Sequence, residues 1–356
     1  MDIIIVSPSL DPSVNVSGIS AVCTFIIKNN TQNHYIHFLQ GKTDSENGGF
    51  LFRFIRICKT YKKWKSFLSA HNNSIIHYNF PLDAKSIVRD YFFVRYAYKK
   101  QRKILLHIHG GLYLFRKEKP FYIDWILNYV FNFKIPIIVL SDKEKKHIEQ
   151  IYHRINVISL PNCIDLSEAK SFHREFESIE LNILFLGRIE PNKGIDYILE
   201  ASKMLIEKNV RFILHFAGKE DSADCYIPRF REELGDSFCY EGVVSGQKKD
   251  ELLKKCNVFL LPSFYEGLPI SLLECMSFGM VPITTDVGSI CTYVKDSVNG
   301  FIIPIKESQP IVDAIMSLVR SKELMKRMSI AAKETIFSQF DTQKYIDKLN
   351  HIYLDL

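Results

Sequence analysis

The stretch from residue 181 to residue 194, LNILFLGRIEPNKG, contains the transition on which the fold prediction rests. An apolar run ends at a glycine, a short polar loop follows, and a second glycine opens an amphipathic segment over 194–208. A continuous apolar run of this kind indicates a strand buried on both faces, and a helix directly after it is typical of a parallel sheet.

The same order of strand and helix recurs along the whole chain. Two such series in 356 residues are more than one core usually holds. The sequence therefore predicts an α/β protein of two Rossmann-like, doubly wound, parallel-sheet domains. The predicted strands are 2–7, 35–39, 74–80, 103–110, 135–141 and 155–161 in the first half, and 181–187, 211–218, 237–242, 258–263 and 281–285 in the second.

The border between the domains is predicted near residues 165–180, where the chain is polar and contains no strand-like run. We expect an N-terminal domain over 1–165 and a C-terminal domain over 166–340. The remaining segment, 341–356, is expected to form a helix that packs back toward the N-terminal domain.

The charge distribution, the hydropathy and the cysteine spacing limit the classes to which the protein can belong. Residues 1–165 carry a net charge of +11 and the remainder −5. No segment approaches the roughly 18 apolar residues of a membrane span, and the N-terminus lacks the basic region of a signal peptide. The eight cysteines show no CxxC spacing. We therefore expect reduced thiols in a cytoplasmic protein.

Ligands of parallel sheets bind at the carboxyl ends of the strands, so the loops after the strands carry the functional signal. In the loop 187–194, glycines allow close approach of the backbone, and Arg188 and Lys193 add positive charge at the start of a helix. A phosphate or diphosphate suits this chemistry. The alternative is that Arg188 pairs with a local acid and Lys193 is a solvated cap residue. Neither GxxxxGK[ST] nor GxGxxG is present, which disfavours ATP hydrolysis and NAD chemistry.

Two carboxylates stand in the otherwise apolar stretch 262–285. Glu266 is predicted in a loop, and Glu274 about one turn inside a buried helix over 270–278. An unpaired buried carboxylate is costly, so Glu274 needs a protein cation, backbone amides or ligand hydroxyl groups as partner. Sugar hydroxyls and an internal salt bridge both remain open.

These segments resemble the retaining glycosyltransferases of family 4. The resemblance rests on EGLPISLLE (266–274) and GRIEPNKG (187–194), and extends through LPNCIDL, FAGKED, CNVFLLPSFYEGLP and GMVPITTDVGSICTYVKDSVNGFIIP. It is close over 155–305 and loose over 1–154. The family has the GT-B fold, in which two Rossmann-like domains face a cleft.

The resemblance implies a role for each matching residue. Arg188 and Lys193 would hold the diphosphate of a nucleotide sugar and stabilise the departing phosphate. Glu266 would contact hydroxyl groups of the transferred sugar, and Glu274 those of the ribose. His109 would lie near the reactive centre. The implied backbone and base contacts of the donor are Gly18, Val243, Gly267, Leu268, Pro269 and Ile270.

Two further histidines have no implied role. His107 is expected to point to the opposite face of the sheet from His109 and to serve as packing. His77 is expected to be a core or acceptor-side residue.

The implied activity is transfer of a hexose or N-acetylhexosamine to a saccharide or lipid-linked saccharide acceptor, in bacterial surface polysaccharide or lipopolysaccharide synthesis. No cofactor, metal or nucleic acid is implied. Three rival functions are open: a glycoside hydrolase, a nucleotide-sugar epimerase of the same fold, and a non-catalytic basic binding protein. The diphosphate clamp argues against the hydrolase, because hydrolysis of a glycoside needs no such clamp.

Two basic stretches predict peripheral binding to an anionic membrane, at the inner face of the plasma membrane. Residues 53–65 and 89–103 interleave cations with aromatic residues. Helices of this composition lie in the headgroup layer of anionic bilayers. Solvated helix faces are the alternative for either stretch alone.

Overall fold

A computed structural model describes residues 1–12, 14–15, 17–41, 49–116, 118–153, 155–176, 180–220 and 225–356. The chain divides into two compact units. Unit 1 comprises Met1–Cys163 together with Thr342–Leu356, and unit 2 comprises Ile164–Asp341.

Unit 1 is a six-stranded parallel sheet in the order β2-β1-β3-β4-β5-β6. Its strands are β1 (Asp2–Ser7), β2 (His34–Leu39), β3 (Ile75–Asn79), β4 (Ile104–His107), β5 (Ile137–Val139) and β6 (Val157–Ser159). Its helices before residue 164 are α1 (Gly18–Asn29), α2 (Phe50–Ala70), α3 (Ala84–Lys99), α4 (Leu112–Phe115), α5 (Phe121–Phe131) and α6 (Asp142–Ile151).

Unit 2 is also a six-stranded parallel sheet, in the order β12-β11-β10-β7-β8-β9. Its strands are β7 (Asn182–Leu186), β8 (Ile213–Ala217), β9 (Phe238–Gly242), β10 (Val258–Leu261), β11 (Val281–Thr285) and β12 (Phe301–Ile303). Its helices are α7 (Ser167–Ser171), α8 (Ile195–Glu207), α9 (Tyr226–Leu234), α10 (Gly246–Lys255), α11 (Ile270–Ser277), α12 (Ile290–Tyr293), α13 (Gln309–Arg320) and α14 (Lys322–Gln339).

The strands are continuous apolar runs because both faces of each sheet are covered. Ile3, Ile4 and Ile5 are successive residues of β1, and all three are fully buried. Successive side chains of a strand point to opposite faces, so burial of all three requires helices on both sides. The predicted doubly wound sheets are therefore confirmed.

The last helix, α15 (Thr342–Leu354), belongs to unit 1 although the chain reaches it from unit 2. Its Asn350 Oδ1 accepts a hydrogen bond of 2.7 Å from Asn30 Nδ2. The ring of Tyr345 packs edge-on against Phe25 of α1 at 5.7 Å. The helix thus packs on α1 and on the residues that follow it.

Several elements of the fold were not predicted, among them the helix α9 and the short helices α4, α7 and α12. The largest omissions besides α9 are the three-residue strand β12, the helix α5 and the long helix α14. None of the helices in the described ranges is both long and apolar enough to cross a bilayer.

Candidate functional site

Lys193 and Glu266 form an ion pair at the carboxyl edge of the second sheet. Lys193 lies in the 3₁₀ turn Pro191–Lys193 after β7, and Glu266 lies between β10 and α11. Nζ of Lys193 donates to Oε1 of Glu266 at 2.7 Å, and the hydroxyl of Ser263 donates to the same oxygen at 2.8 Å. The two charged side chains are only 18% and 11% exposed. The pair exists because β7 and β10 are neighbours, so their following loops meet.

Two glycines allow these loops to approach each other through their backbones. Gly194 has a φ of +74°, and a Cβ there would lie 2.3 Å from the carbonyl oxygen of Pro262. Gly288 has a φ of +59°, and a Cβ there would lie 2.3 Å from the carbonyl oxygen of Glu266. Any side chain at either position would displace the loop that carries Glu266.

Glu274 is paired with a lysine that the sequence reading did not single out. Nζ of Lys249, in α10, donates to Oε1 of Glu274 at 2.7 Å. The side chains are 27% and 20% exposed. Burial opposes the charge on Lys249, but the carboxylate of Glu274 outweighs it and raises the pKa of the ammonium group. Glu274 is therefore not an unpaired buried charge. Of the three partners that the sequence allowed for it, a protein cation, backbone amides or ligand hydroxyl groups, the structure shows the cation.

The other donor residues predicted in unit 2 lie at the same edge of the sheet. Arg188 is exposed and directly follows Gly187, just beyond the end of β7. Val243 is exposed and follows β9. The stretch 267–270 runs from the loop into the first residue of α11, and the carbonyl of Gly267 accepts from the amide of Ser289 at 2.9 Å. We name Arg188, Lys193, Lys249, Glu266 and Glu274 the charged edge.

His109 lies at the carboxyl edge of the first sheet, two residues beyond β4. It is half-buried, and its Nε2 lies 2.6 Å from Oδ1 of Asn79, the last residue of β3. Burial, with a smaller contribution from His77, lowers the pKa of His109 to about 3. The imidazole is therefore neutral at physiological pH.

His107 and His77 form a buried column beneath His109. The ring centroids of His107 and His109 are 4.0 Å apart, so both side chains lie on the same face, and the expectation that they point to opposite faces is wrong. Residues two apart in an extended chain share a face, which is the physical reason. Nε2 of His77 lies 3.1 Å from Nδ1 of His107, and Nδ1 of His77 lies 2.6 Å from the hydroxyl of Tyr353 in α15. We name His77, Asn79, His107 and His109 the histidine edge.

Gly18 is the first residue of α1, also in unit 1. The hydroxyl of Ser17 caps the helix by accepting from the amide of Ser20 at 3.2 Å. A Cβ at Gly18 would meet nothing within 4 Å, so the space beside this helix start is open. A helix N-terminus with open space beside it is compatible with the predicted backbone contact to an anion.

One cluster of potential metal ligands occurs among the described residues. His215, Cys239 and Glu241 have donor atoms within 4.8 Å of one another. Nδ1 of His215 lies 2.9 Å from Oε1 of Glu241, and the thiol of Cys239 donates to the same oxygen at 3.2 Å. Hydrogen bonds thus already link the three groups. The expectation that no metal takes part stays a prediction.

Asn79, Lys249 and Ser263 are the site residues that the sequence reading missed. Asn79 and Ser263 occupy the same kind of position as the residues it did select, at or just after the end of a buried strand. A search of every strand end for polar side chains could have found both. Nothing local in the sequence marks Lys249, which is one of several lysines on α10.

Comparisons with known proteins agree with this geometry. Residues 167–335 match the family described as Glycosyl transferases group 1, and the match includes the whole charged edge. The chain is 24% identical over 264 residues to an Escherichia coli UDP-Gal:alpha-D-GlcNAc-diphosphoundecaprenol alpha-1,3-galactosyltransferase, covering 70% of this chain and 68% of that enzyme. It is 30% identical over 178 residues to an uncharacterised glycosyltransferase of Methanocaldococcus jannaschii, covering 48% of this chain and 45% of that protein.

Solved structures show the same fold over the full chain. Sucrose-phosphate synthase from Thermosynechococcus elongatus superposes with a TM-score of 0.80 at 15% identity, covering 99% of this chain and 98% of that one. HepE of Anabaena in complex with UDP superposes with a TM-score of 0.73 at 14% identity, covering all of both chains. The protein has the GT-B fold, and its sequence is similar to glycosyltransferases of group 1.

Proposed function

We propose that this protein is a retaining glycosyltransferase of family 4. It would move a hexose or N-acetylhexosamine from a nucleotide-diphosphate sugar to a saccharide or lipid-linked saccharide acceptor, in bacterial surface polysaccharide or lipopolysaccharide synthesis. The observation that carries the proposal is the charged edge: Arg188 and two lysine–glutamate pairs lie in the loops and helices that follow the strands of unit 2, within the segment that matches the glycosyltransferase family.

The pairing at the charged edge leaves each group able to bind a ligand. Lys193 donates one of its three ammonium protons to Glu266, so two remain for phosphate oxygens. Within the described part of the chain, both hydrogen bonds to the Glu266 carboxylate are made to Oε1. Oε2 therefore remains for a sugar hydroxyl. Glu274 is held in the same way by Lys249 and would accept from the ribose.

Arg188 and Lys193 would act mainly on the departing phosphate. Charge grows on the leaving diphosphate as the glycosidic bond breaks, and preorganised cations stabilise it without reorganisation. These residues do not require a metal for that role. The configuration at the anomeric carbon of the transferred sugar would be retained if the acceptor hydroxyl attacks from the face that the phosphate leaves, with the departing phosphate taking the hydroxyl proton.

A screen of nucleotide sugars tests the proposal. Purified protein is incubated with each donor, with and without an acceptor extract, and three quantities are measured: release of nucleoside diphosphate, conversion of the donor into a second nucleotide sugar, and thermal stabilisation by the donor. We expect release to depend on acceptor for one donor. Turnover of a donor into a second nucleotide sugar without any acceptor would instead establish the epimerase, and no stabilisation or turnover by any donor would leave the basic binding protein.

We further propose that unit 1 binds an anionic membrane surface, on which a lipid-linked acceptor is presented. The structure changes which residues carry this proposal. Trp64 of the first basic stretch is fully buried, with its indole N–H donating to the carbonyl of Phe93, so it cannot contact lipid. In the second stretch, Arg89 pairs with the buried Asp90 at 2.6 Å. The exposed cations of α2 are Arg53, Lys59, Lys62, Lys63 and Lys65, and in the second stretch Lys99, Lys100 and Lys103 are also exposed.

Exposed apolar residues supply the rest of the surface. They lie in the first turns of α2 and α5, and Phe121 of α5 is 84% exposed. In parallel sheets a helix that follows a strand starts at the carboxyl edge, so these residues lie at the same end of unit 1 as His109. We name the membrane face by its apolar members, Leu51, Phe52, Phe54, Ile55, Phe121, Tyr122 and Trp125.

Sedimentation with vesicles tests the membrane face. Wild-type protein should bind vesicles containing phosphatidylglycerol at low salt, should not bind pure phosphatidylcholine, and should dissociate as salt rises. Replacing Lys59, Lys62, Lys63 and Lys65 by serine should weaken binding and its salt dependence. Replacing Phe121 and Trp125 by serine should weaken binding without changing the salt dependence. If the wild-type protein does not bind anionic vesicles at low salt, the membrane proposal fails, and a soluble acceptor becomes the better proposal.

A further inference from the structure

The hydrogen bonds of Asn79 determine the orientation of its amide group. Its nitrogen lies 2.8 Å from the carbonyl oxygen of Val6 in β1 and 3.2 Å from the sulfur of Cys23 in α1. A carbonyl oxygen only accepts hydrogen bonds, so the amide NH₂ has to face Val6. The amide oxygen consequently faces His109.

That orientation fixes where His109 carries its proton. The amide oxygen of Asn79 lies 2.6 Å from Nε2 of His109 and can only accept. Nε2 must therefore be protonated. In a neutral imidazole the other nitrogen, Nδ1, is then unprotonated and offers a lone pair. Among the described residues, Nδ1 has no hydrogen-bond partner.

The ring of His109 is also held on its face. The His107 ring lies 4.0 Å away, tilted by 31°. His107 is in turn hydrogen-bonded to His77, and His77 to Tyr353. The edge of the ring is thus fixed by Asn79 and the face by a buried column that ends on α15.

We propose that Asn79 is a positioning residue that locks His109 in the Nε2–H tautomer, so that Nδ1 accepts a hydrogen bond from a hydroxyl group of the bound sugar. The identity of the ligand as a sugar rests on the proposed function. The tautomer itself does not, because it follows from the contacts of Asn79 alone.

Burial supports the same protonation state. It lowers the pKa of His109 to about 3, and His77 contributes further in the same direction. The titratable groups packed around the ring are His107 and His77 from the two strands and Cys23 beyond Asn79, and burial raises the pKa of that thiol to about 12. No acidic side chain makes a described contact with the ring that would favour the imidazolium.

The consequence is that His109 acts as a hydrogen-bond acceptor and not as an acid. A hydroxyl of the ligand would donate to Nδ1, which orients the sugar. An imidazolium could not accept this bond, so protonation of His109 would weaken ligand binding at this position.

Nuclear magnetic resonance of protein labelled with ¹⁵N-histidine tests the lock directly. Two-bond proton–nitrogen correlations distinguish protonated from unprotonated ring nitrogens, and His109→Gln assigns the resonances. We expect wild-type His109 to carry its proton on Nε2. Asn79→Ala should give a mixture of tautomers, and Asn79→Asp should raise the pKa of His109 because a carboxylate favours the imidazolium.

The chain offers a matched control in Asn182. It is as buried as Asn79, its Oδ1 lies 3.0 Å from Nε2 of His215, and its amide nitrogen donates to the carbonyl of Glu180. It starts β7, at the opposite edge of its sheet from the charged residues. Asn182→Ala should leave the His109 tautomer and the turnover number unchanged. Asn79→Ala should lower the turnover number about two- to tenfold, the effect of one neutral hydrogen bond, with nucleotide affinity unchanged.

Specific outcomes overturn the inference. A wild-type His109 protonated at Nδ1, or a tautomer that Asn79→Ala does not alter, would disprove the lock. A turnover number that falls equally in both asparagine variants would disprove the acceptor role of Nδ1. If Asn79→Ala does not fold, the wild-type spectrum still decides the tautomer. Absence of turnover with every donor would count against the proposed function and leave the tautomer result standing.

Discussion

The two sheets present opposite chemistry at equivalent positions. In unit 2 the loops and helices that follow the strands carry paired charges, with Lys193 on Glu266 and Lys249 on Glu274. In unit 1, His109 lies just beyond the end of β4 and His77 lies within β3, and burial lowers the pKa of each to about 3. One fold, used twice, thus provides one edge suited to an anion and one suited to uncharged hydroxyl groups.

The inner histidines of unit 1 have less access to water than the paired charges of unit 2. The charged side chains of unit 2 retain between 11% and 27% of their exposure, so ion pairs form at moderate desolvation cost. His77 and His107 of unit 1 are fully buried, where a charged imidazole would be expensive. The proposed function accordingly assigns the donor diphosphate to the charged edge of unit 2.

The largest expected effect is the loss of turnover when a cation of the charged edge is removed. Arg188→Ala and Lys193→Ala should each lower turnover about a hundredfold, the loss of one donor to a developing charge. Lys203→Ala is a matched control, since Lys203 is also paired with a glutamate in unit 2, at 2.6 Å, but lies on helix α8 away from the strand ends. Steady-state kinetics measures the turnover of all three variants. Wild-type turnover in the Arg188 and Lys193 variants would show that these cations do not stabilise the departing diphosphate.

The next largest expected effect is a loss of folding stability in acid, caused by the neutral histidines of the histidine edge. The pKa of His109 is about 3 in the folded protein and near 6.5 when unfolded. The unfolded chain thus binds the proton first, so stability present above pH 6.5 is lost as the pH falls toward 3. Each such histidine contributes roughly 1.4 kcal/mol per pH unit in that window.

Urea unfolding at pH 6 and pH 5 measures this slope. The free energy of unfolding of His109→Gln should fall less steeply with acid than that of the wild type, by about 1 kcal/mol per pH unit. Parallel slopes would mean that His109 is charged in the folded protein, and the contrast between the two edges would then disappear.

The smallest expected effect on stability concerns Glu274. Glu274→Gln removes the charge that faces Lys249, and we expect a loss of stability of up to about 1 kcal/mol because the pair is partly exposed. Nucleotide affinity should fall by about 1–3 kcal/mol if the carboxylate accepts ribose hydroxyls. Calorimetry of nucleotide binding separates the two, because a purely structural pair would change stability and leave affinity intact.

Much of the fold could be read from the sequence because its strands are long apolar runs. The run at 258–263 corresponds to β10, and the run at 181–187 to β7. The strand β12 was missed because three residues are too short for a pattern. The helix α5 was missed because apolar residues lie on its exposed as well as its buried face, which removes the helical periodicity.

The site was less predictable, for a different reason. Strand ends marked Arg188, Glu266 and His109, since position in a parallel sheet is a local signal. The partners that set their chemistry come from distant segments. Asn79 reaches His109 across 30 residues and Lys249 reaches Glu274 across 25, and only the packing of the chain brings them together.

Calorimetric titration with nucleosides, nucleoside monophosphates and nucleoside diphosphates of each base tests the central claim most directly. If the charged edge holds the donor diphosphate, the diphosphate of the preferred base should bind about tenfold or more tightly than its monophosphate, and the advantage should disappear in Arg188→Ala. Equal affinity for the two nucleotides, or an advantage that survives in that variant, would contradict the account.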